Sequence, residues 1–140
     1  MPVVVVSAQT PLGRLVVARL RAEGAEVRAL VDSPAADLGV PTALTEWDEE
    51  ERVGAVFEGA HTVVALGGGT QARRVHPHLR DAGVRRLIVV TGPDERVPPG
   101  VADAEVVVVR RRTAERFWRR PSERDLAALA DEVVAADRRE

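Results

Sequence analysis

"VVVVSAQTPLGR", residues 3–14, is the stretch whose reading decides the fold. Val3 to Val6 is an unbroken β-branched run, the mark of a short strand covered on both faces, as strands of parallel sheets are. Thr10 followed by Pro11 is a helix-start signal, because a threonine hydroxyl caps orphan N–H groups and proline is pre-set for the first helical position. Leu12, Leu15, Val16 and Leu20 then recur at helical spacing, and Gly24 ends the helix in the position that favours a left-handed residue. A buried strand, a tight turn and an amphipathic helix therefore open the chain.

The same alternation continues outward. Val27 to Val31 reads as a second strand closed by Asp32-Ser33-Pro34, and a weak strand follows near Val40 to Thr45. Asp48 with Glu51 forms a capping box for a helix whose apolar face carries Val53, Val56 and Phe57, with Gly59 as its stop. Thr62 to Leu66 is another buried strand, followed by Gly67-Gly68-Gly69. Thr70 is the expected cap of a helix over 71–82, in which Pro77 predicts a bend or a late start. Leu87 to Val90 and Glu105 to Val109 read as the last two strands, separated by a proline- and glycine-rich loop over 91–103. Ser122 with Asp125 caps a final helix carrying Leu126, Leu129, Ala130, Val133 and Val134. The order β-α-β-β-α-β-α-β-β-α predicts an α/β domain: a Rossmann-like open, mostly parallel sheet of five or six strands with helices on both faces. No linker or repeat divides residues 1–140, so a single domain is expected.

Composition narrows the chemistry. The chain has 140 residues, 45% of them hydrophobic but only 3% aromatic, so its core is built from Val, Leu and Ala. It contains no Cys, which removes disulfides, thiolate metal sites and thiol nucleophiles. It contains no Tyr, and all its basic residues are Arg. No apolar run approaches the ~20 residues of a membrane span, and no secretion signal opens the chain, so a cytoplasmic location is expected. The net charge of −2 argues against a nucleic-acid footprint, although Phe117 and Trp118 lie among arginines in the segment 110–124. That segment reads better as a solvated face, a contact between subunits or a cover for the sheet edge. His76 and His78 lack a third ligand and read as surface residues, and Asp48 to Glu51 as an acidic first turn suited to a helix dipole.

The turn after the first strand is the candidate site. A dinucleotide loop uses one glycine for the tight turn, a second for close approach of pyrophosphate and a third for helix–strand packing. Here the three slots read Ser7, Thr10 and Gly13. The packing glycine is kept, and the two phosphate-side glycines are small hydroxyl residues that can bond a phosphate but narrow its approach. Ser7, Gln9, Thr10, Pro11, Leu12 and Gly13 either line a cofactor or form a packed turn with a threonine cap. Asp32 ends the second strand, where an acid accepts from ribose hydroxyls and repels the extra phosphate of NADP; the alternative is an Asx turn before Pro34. Gly67, Gly68 and Gly69 lie at the same sheet edge and suit either close ligand approach or a flexible connection.

Together "VVVVSAQTPLGRLVVARLRAEGAEVRALVDSP", "FEGAHTVVALGGG" and "DAGVRRLIVVTG" resemble the atypical short-chain dehydrogenase/reductases, in particular the NmrA-like group, over about residues 2–92. The resemblance implies a nicotinamide cofactor at the loop, with Thr91 near the family's catalytic hydroxyl. The departures are as informative. The usual G-x-x-G-x-x-G retains only Gly13, and Asp32 stands where many members carry an Arg for NADP. The Tyr-x-x-x-Lys pair cannot exist in a chain with neither residue, which excludes the ordinary carbonyl-reduction mechanism. The segment that forms the substrate pocket is absent, and the short connection over 91–103 predicts that the sixth strand pairs unusually or across a subunit boundary.

Three readings follow. The first is a compact nucleotide-binding or partner subunit without catalysis, holding NAD in preference to NADP, or no cofactor at all. The second is a reductase of flavin or quinone type that works by positioning NAD(P)H. The third is a structural subunit that dimerises through its sheet edge, as a homo-oligomer or with another chain.

Overall fold

The computed structural model describes residues 2–34, 37–44, 50–92, 104–111 and 123–138. The elements are β1 (Val3–Val6), α1 (Pro11–Ala22), β2 (Val27–Val31), β3 (Thr42–Leu44), α2 (Glu50–Phe57), β4 (Thr62–Ala65), α3 (Gly68–Ala82), β5 (Arg86–Thr91), β6 (Glu105–Arg110) and α4 (Glu123–Asp137). They follow the order expected from the sequence. The six strands form one sheet ordered β3-β2-β1-β4-β5-β6, and every neighbouring pair is parallel. This is the doubly wound arrangement, whose order reverses between β1 and β4.

Strand alternation explains why the apolar runs are continuous. Val3 and Val5 pack with α1 and α4 on one face, and Val4 and Val6 pack with α2 and α3 on the other. In β5, Ile88 and Val90 face the first layer, and Leu87 and Val89 the second. A polar residue at any of these positions would lie in a core, so none of the four residues of β1 is spared for solvent. On the second face, Phe57 is fully buried, and its ring lies 5.9 Å from that of His78.

The structure corrects three expectations. The sixth strand pairs with β5 in ordinary parallel register, from Arg86 opposite Glu105 to Thr91 opposite Arg110. Hydrogen bonds from Glu105 N to the Arg85 carbonyl (2.8 Å) and from Arg111 N to the Thr91 carbonyl (2.9 Å) close its two ends. The connecting residues 92–104 are enough for a parallel crossover, which needs about a dozen residues. Second, α3 starts at Gly68, not at residue 71, because Gln71 rather than Thr70 satisfies the first exposed N–H. Third, α3 does not start late: it continues as one helix through Pro77, and the carbonyl that proline leaves unpaired belongs to Arg73, which is exposed and can be solvated. The expected capping box at Asp48, the cap at Ser122 and most of the arginine-rich segment lie outside the described residues. Among the described residues no helix is long and apolar enough to cross a membrane, and no cluster of His, Asp or Glu can hold a metal ion.

Candidate functional site

The carboxyl ends of β1, β2, β4 and β5 carry the candidate cofactor-binding residues read from the sequence. Ligands of open α/β sheets collect at this edge, beside the reversal of strand order. Ser7, Gln9 and Thr10 follow β1, Asp32 follows β2, Gly67 to Gly69 follow β4, and Thr91 ends β5.

Ser7 adopts φ 60°, a left-handed conformation that glycine takes without cost and other residues rarely adopt. The backbone has therefore kept the shape of the first loop glycine while acquiring a hydroxyl. Thr10 is the N-cap of α1: its hydroxyl donates to the Ser7 carbonyl (2.9 Å) and accepts the Gly13 N–H (3.1 Å). Its single proton is committed to the turn, and Pro11 has no N–H to offer. The Leu12 N–H is the donor left in that first turn, while its side chain packs into the core. Gly13 is the packing glycine in the strict sense, since a Cβ there would lie 2.6 Å from the Ser7 carbonyl oxygen and 2.7 Å from Ala8 Cα. We predict that Thr10→Ala costs about 1 kcal/mol through loss of the cap, read as a small fall in Tm with α1 retained.

Asp32 is exposed at the tip of β2, and one carboxylate oxygen, Oδ1, accepts from Gln9 Nε2 (3.0 Å) and, over a longer 3.4 Å, from Ser7 Oγ. Ser7 Oγ in turn accepts from Gln71 Nε2 (2.6 Å), and Gln71 Oε1 accepts the Gly67 N–H (2.9 Å). One chain of hydrogen bonds thus ties the ends of β4, β1 and β2 together. Gln71 folds back so closely that a Cβ at Gly67 would lie 3.1 Å from its Cβ, Cδ and Nε2 atoms. This gives Gly67 a packing reason. Gly68, at φ 74°, turns the chain into α3, so it and Gly69 belong to the helix and not to a flexible connection.

Sequence reading missed Gln71. The available signal was a glutamine one turn beyond a glycine-rich helix start, a relative of the capping box. Thr91 makes no hydrogen bond to this network; it ends β5, one strand from the β4 end of the network and two strands, about 10 Å, from β1. Its hydroxyl is buried with no hydrogen-bond partner among the described residues, and so is Gln9 Oε1. Both oxygens lie at the carboxyl edge of the sheet, and buried polar groups are as a rule hydrogen-bonded.

Comparison with known proteins agrees with this geometry. A family profile described as NAD(P)H-binding matches residues 8–134. No curated protein matches the chain. Among solved structures, a Rossmann-fold NAD(P)-binding family protein from Shigella flexneri superposes with a TM-score of 0.66 at 15% identity, covering 98% of this chain and 87% of that one. A short-chain dehydrogenase/reductase superfamily protein from Agrobacterium tumefaciens with bound NAD has a TM-score of 0.64 at 18% identity, over 79% of this chain and 48% of that one. Triphenylmethane reductase from Citrobacter sp., complexed with NADP(H), has a TM-score of 0.54 at 25% identity, over 64% of this chain and 37% of that one. The chain spans about half or less of the length of the latter two. These likenesses carry the fold, and the profile carries the family: the chain belongs to the NAD(P)H-binding family, on a Rossmann scaffold.

Proposed function

We propose that this protein binds a nicotinamide dinucleotide, NAD(H) in preference to NADP(H), as a nucleotide-binding or partner subunit without the carbonyl-reducing chemistry of its fold. The observation that carries the reading is Asp32. Asp32 is exposed at the tip of β2; Oδ1 accepts from Gln9 (3.0 Å) and, over a longer 3.4 Å, from Ser7, which leaves Oδ2 as the acceptor for the adenosine ribose hydroxyls. The residues present fit such a group: Asp32 for the ribose, the Leu12 N–H and the end of α1 for the pyrophosphate, and the orphaned Gln9 and Thr91 oxygens for polar atoms further along it. With Thr10 and Pro11 offering no donor, the phosphate contribution is weak and the ribose end dominates recognition. Bound NAD(H) supplies hydride transfer; this chain supplies orientation and the acceptor for the sugar.

A melting experiment tests the reading. NAD or NADH at 100 times its dissociation constant stabilises by about 2.7 kcal/mol. Asp32→Asn is expected to weaken NAD by about tenfold, since a hydrogen bond to a charged group contributes about 1.5–3 kcal/mol, and to narrow the gap to NADP. Absence of any shift with millimolar NAD, NADH, NADP and NADPH sinks the proposal. A shift with NADP alone removes the role given to Asp32.

The orphaned Thr91 hydroxyl favours a second reading, a reductase that holds NAD(P)H against a flavin or quinone acceptor. The structural neighbours include a quinone oxidoreductase from Escherichia coli and the triphenylmethane reductase. Oxidation of NADH dependent on such an acceptor, and lost in Thr91→Val, promotes this reading over the first.

A further inference from the structure

We infer that Gln71 is a positioning residue for dinucleotide selectivity: acting through the Ser7 hydroxyl, it sets the carboxylate of Asp32 for the ribose of NAD. The inference rests on the proposed binding of a dinucleotide at this edge.

The argument begins with hydrogen-bond direction. The Gly67 N–H can only donate, so the atom of Gln71 it meets at 2.9 Å must be the carbonyl oxygen. The amide orientation is thereby fixed, and Nε2 points at Ser7 Oγ, 2.6 Å away. Nε2 can only donate, so Ser7 accepts there, and its single proton is left for another partner. The acceptor within reach is Asp32 Oδ1, at 3.4 Å, a longer and weaker contact than the bonds upstream of it. The chain therefore runs one way, from Gly67 through Gln71 and Ser7 to Asp32, and no member can reverse without breaking a bond upstream. Gln9 Nε2 supplies the second donor to the same oxygen. With Oδ1 held by Gln9 and approached by Ser7, the rotation of the carboxylate is restricted and Oδ2 is the oxygen left for the ribose.

Geometry upstream supports a built device. Ser7 is held at φ 60°, its hydroxyl lies between Gln71 of α3 and Asp32 after β2, and it is only 7% exposed. Gln71 is half-buried, and Gly67 is the residue type that lets its side chain fold back. The selectivity follows from which ligand uses Asp32: NAD gains a ribose hydroxyl bond there, whereas the 2′-phosphate of NADP is repelled whether or not the carboxylate is well oriented.

The test is a double-mutant cycle read by calorimetry with NAD and with NADP, on the whole chain. Gln71→Met keeps length and neutrality while removing both bonds. It is expected to raise the NAD dissociation constant by about fivefold, less than Asp32→Asn and on the scale of one ordinary hydrogen bond, with that of NADP changing by less than about twofold. Ser7→Ala is expected to act alike, and the double variant to bind NAD no more weakly than Ser7→Ala alone, because the two act in series. If Ser7→Ala does not fold, Ser7→Gly, which suits the left-handed backbone, replaces it in the cycle. Equal weakening of NAD and NADP by Gln71→Met, additive effects in the cycle, or unchanged NAD affinity each overturn the inference. If the unaltered chain binds NAD and Asp32→Asn weakens it while Gln71→Met does not, the binding reading stands and this inference alone falls. If the unaltered chain binds neither dinucleotide, both fall.

Discussion

Gly13→Ala is expected to lower Tm by about 10 °C, equivalent to roughly 3 kcal/mol for a domain of this size. The added methyl would lie 2.6 Å from the Ser7 carbonyl oxygen, 2.7 Å from Ala8 Cα and 2.9 Å from the Ala8 carbonyl carbon. All three are backbone atoms, so no rotamer change relieves the contact. Relief requires α1 to move off β1, and α1 carries Leu12, Val16, Val17 and Leu20 into the core. Overpacking of this kind costs about 1–3 kcal/mol and occasionally more, and this case belongs at the upper end because the Ser7 carbonyl is also the acceptor for Thr10. Gly54→Ala is the control. Gly54 lies inside α2, and a Cβ added there would meet nothing within 4 Å, so alanine is expected to raise Tm through the lower entropy of the unfolded chain. The measurement is thermal melting followed by circular dichroism. A fall of less than about 2 °C in Gly13→Ala would show that the turn gives way, and that the glycine is kept for ligand approach instead of packing.

The fold was legible where local signals agree with one another. Val3 to Val6, Thr10-Pro11 and Gly24 each specify the same strand, cap and stop, and β1 and α1 stand where they place them. The start of α3 was not legible, because Gly67-Gly68-Gly69 carries no propensity for a helix and the residue that starts it, Gln71, sits a full turn later. The pairing of β6 is non-local: its register depends on β5 across a connection whose length alone does not decide between edges. In the site, Asp32 and the turn residues are recognisable from position along the chain. The role of Gln71 was not, since its partners are four and 64 residues away and meet only when β1 and β4 become neighbours. Likewise, spacing places Thr10 in a glycine slot of the loop, but only the three-dimensional turn reveals that its proton is committed.

Arg86 shows the same limit at the opposite edge of the sheet and carries the second large prediction. It opens β5, in a stretch that reads simply as charge before a strand, yet it is only 6% exposed. One guanidinium nitrogen donates to the Ala136 carbonyl (3.1 Å) and the Asp137 carbonyl (2.7 Å), and Nε meets Glu105 Oε2 at 3.3 Å. The first two are last-turn carbonyls of α4, which have no partner within the helix. A fixed positive charge there also favours the negative end of the helix dipole. Glu105 is largely exposed, so the ion pair itself contributes little; the helix end is what the arginine holds. Arg86→Met, similar in length and apolar, is therefore expected to cost about 3 kcal/mol, because two carbonyls lose a charged donor at about 1.5 kcal/mol or more each. Arg86→Lys is expected to lose less, since an ammonium reaches one or two of these oxygens but has no planar fork to span them with Glu105. Glu105→Gln is expected to shift stability by under about 0.5 kcal/mol. Urea unfolding of the three variants decides the matter. If Glu105→Gln matches Arg86→Met, the ion pair is the dominant bond and the account of α4 is wrong. If hydrogen exchange in Arg86→Met instead shows the last turn of α4 opening while β5 and β6 stay protected, the arginine works as the clamp that joins the final helix to the sheet.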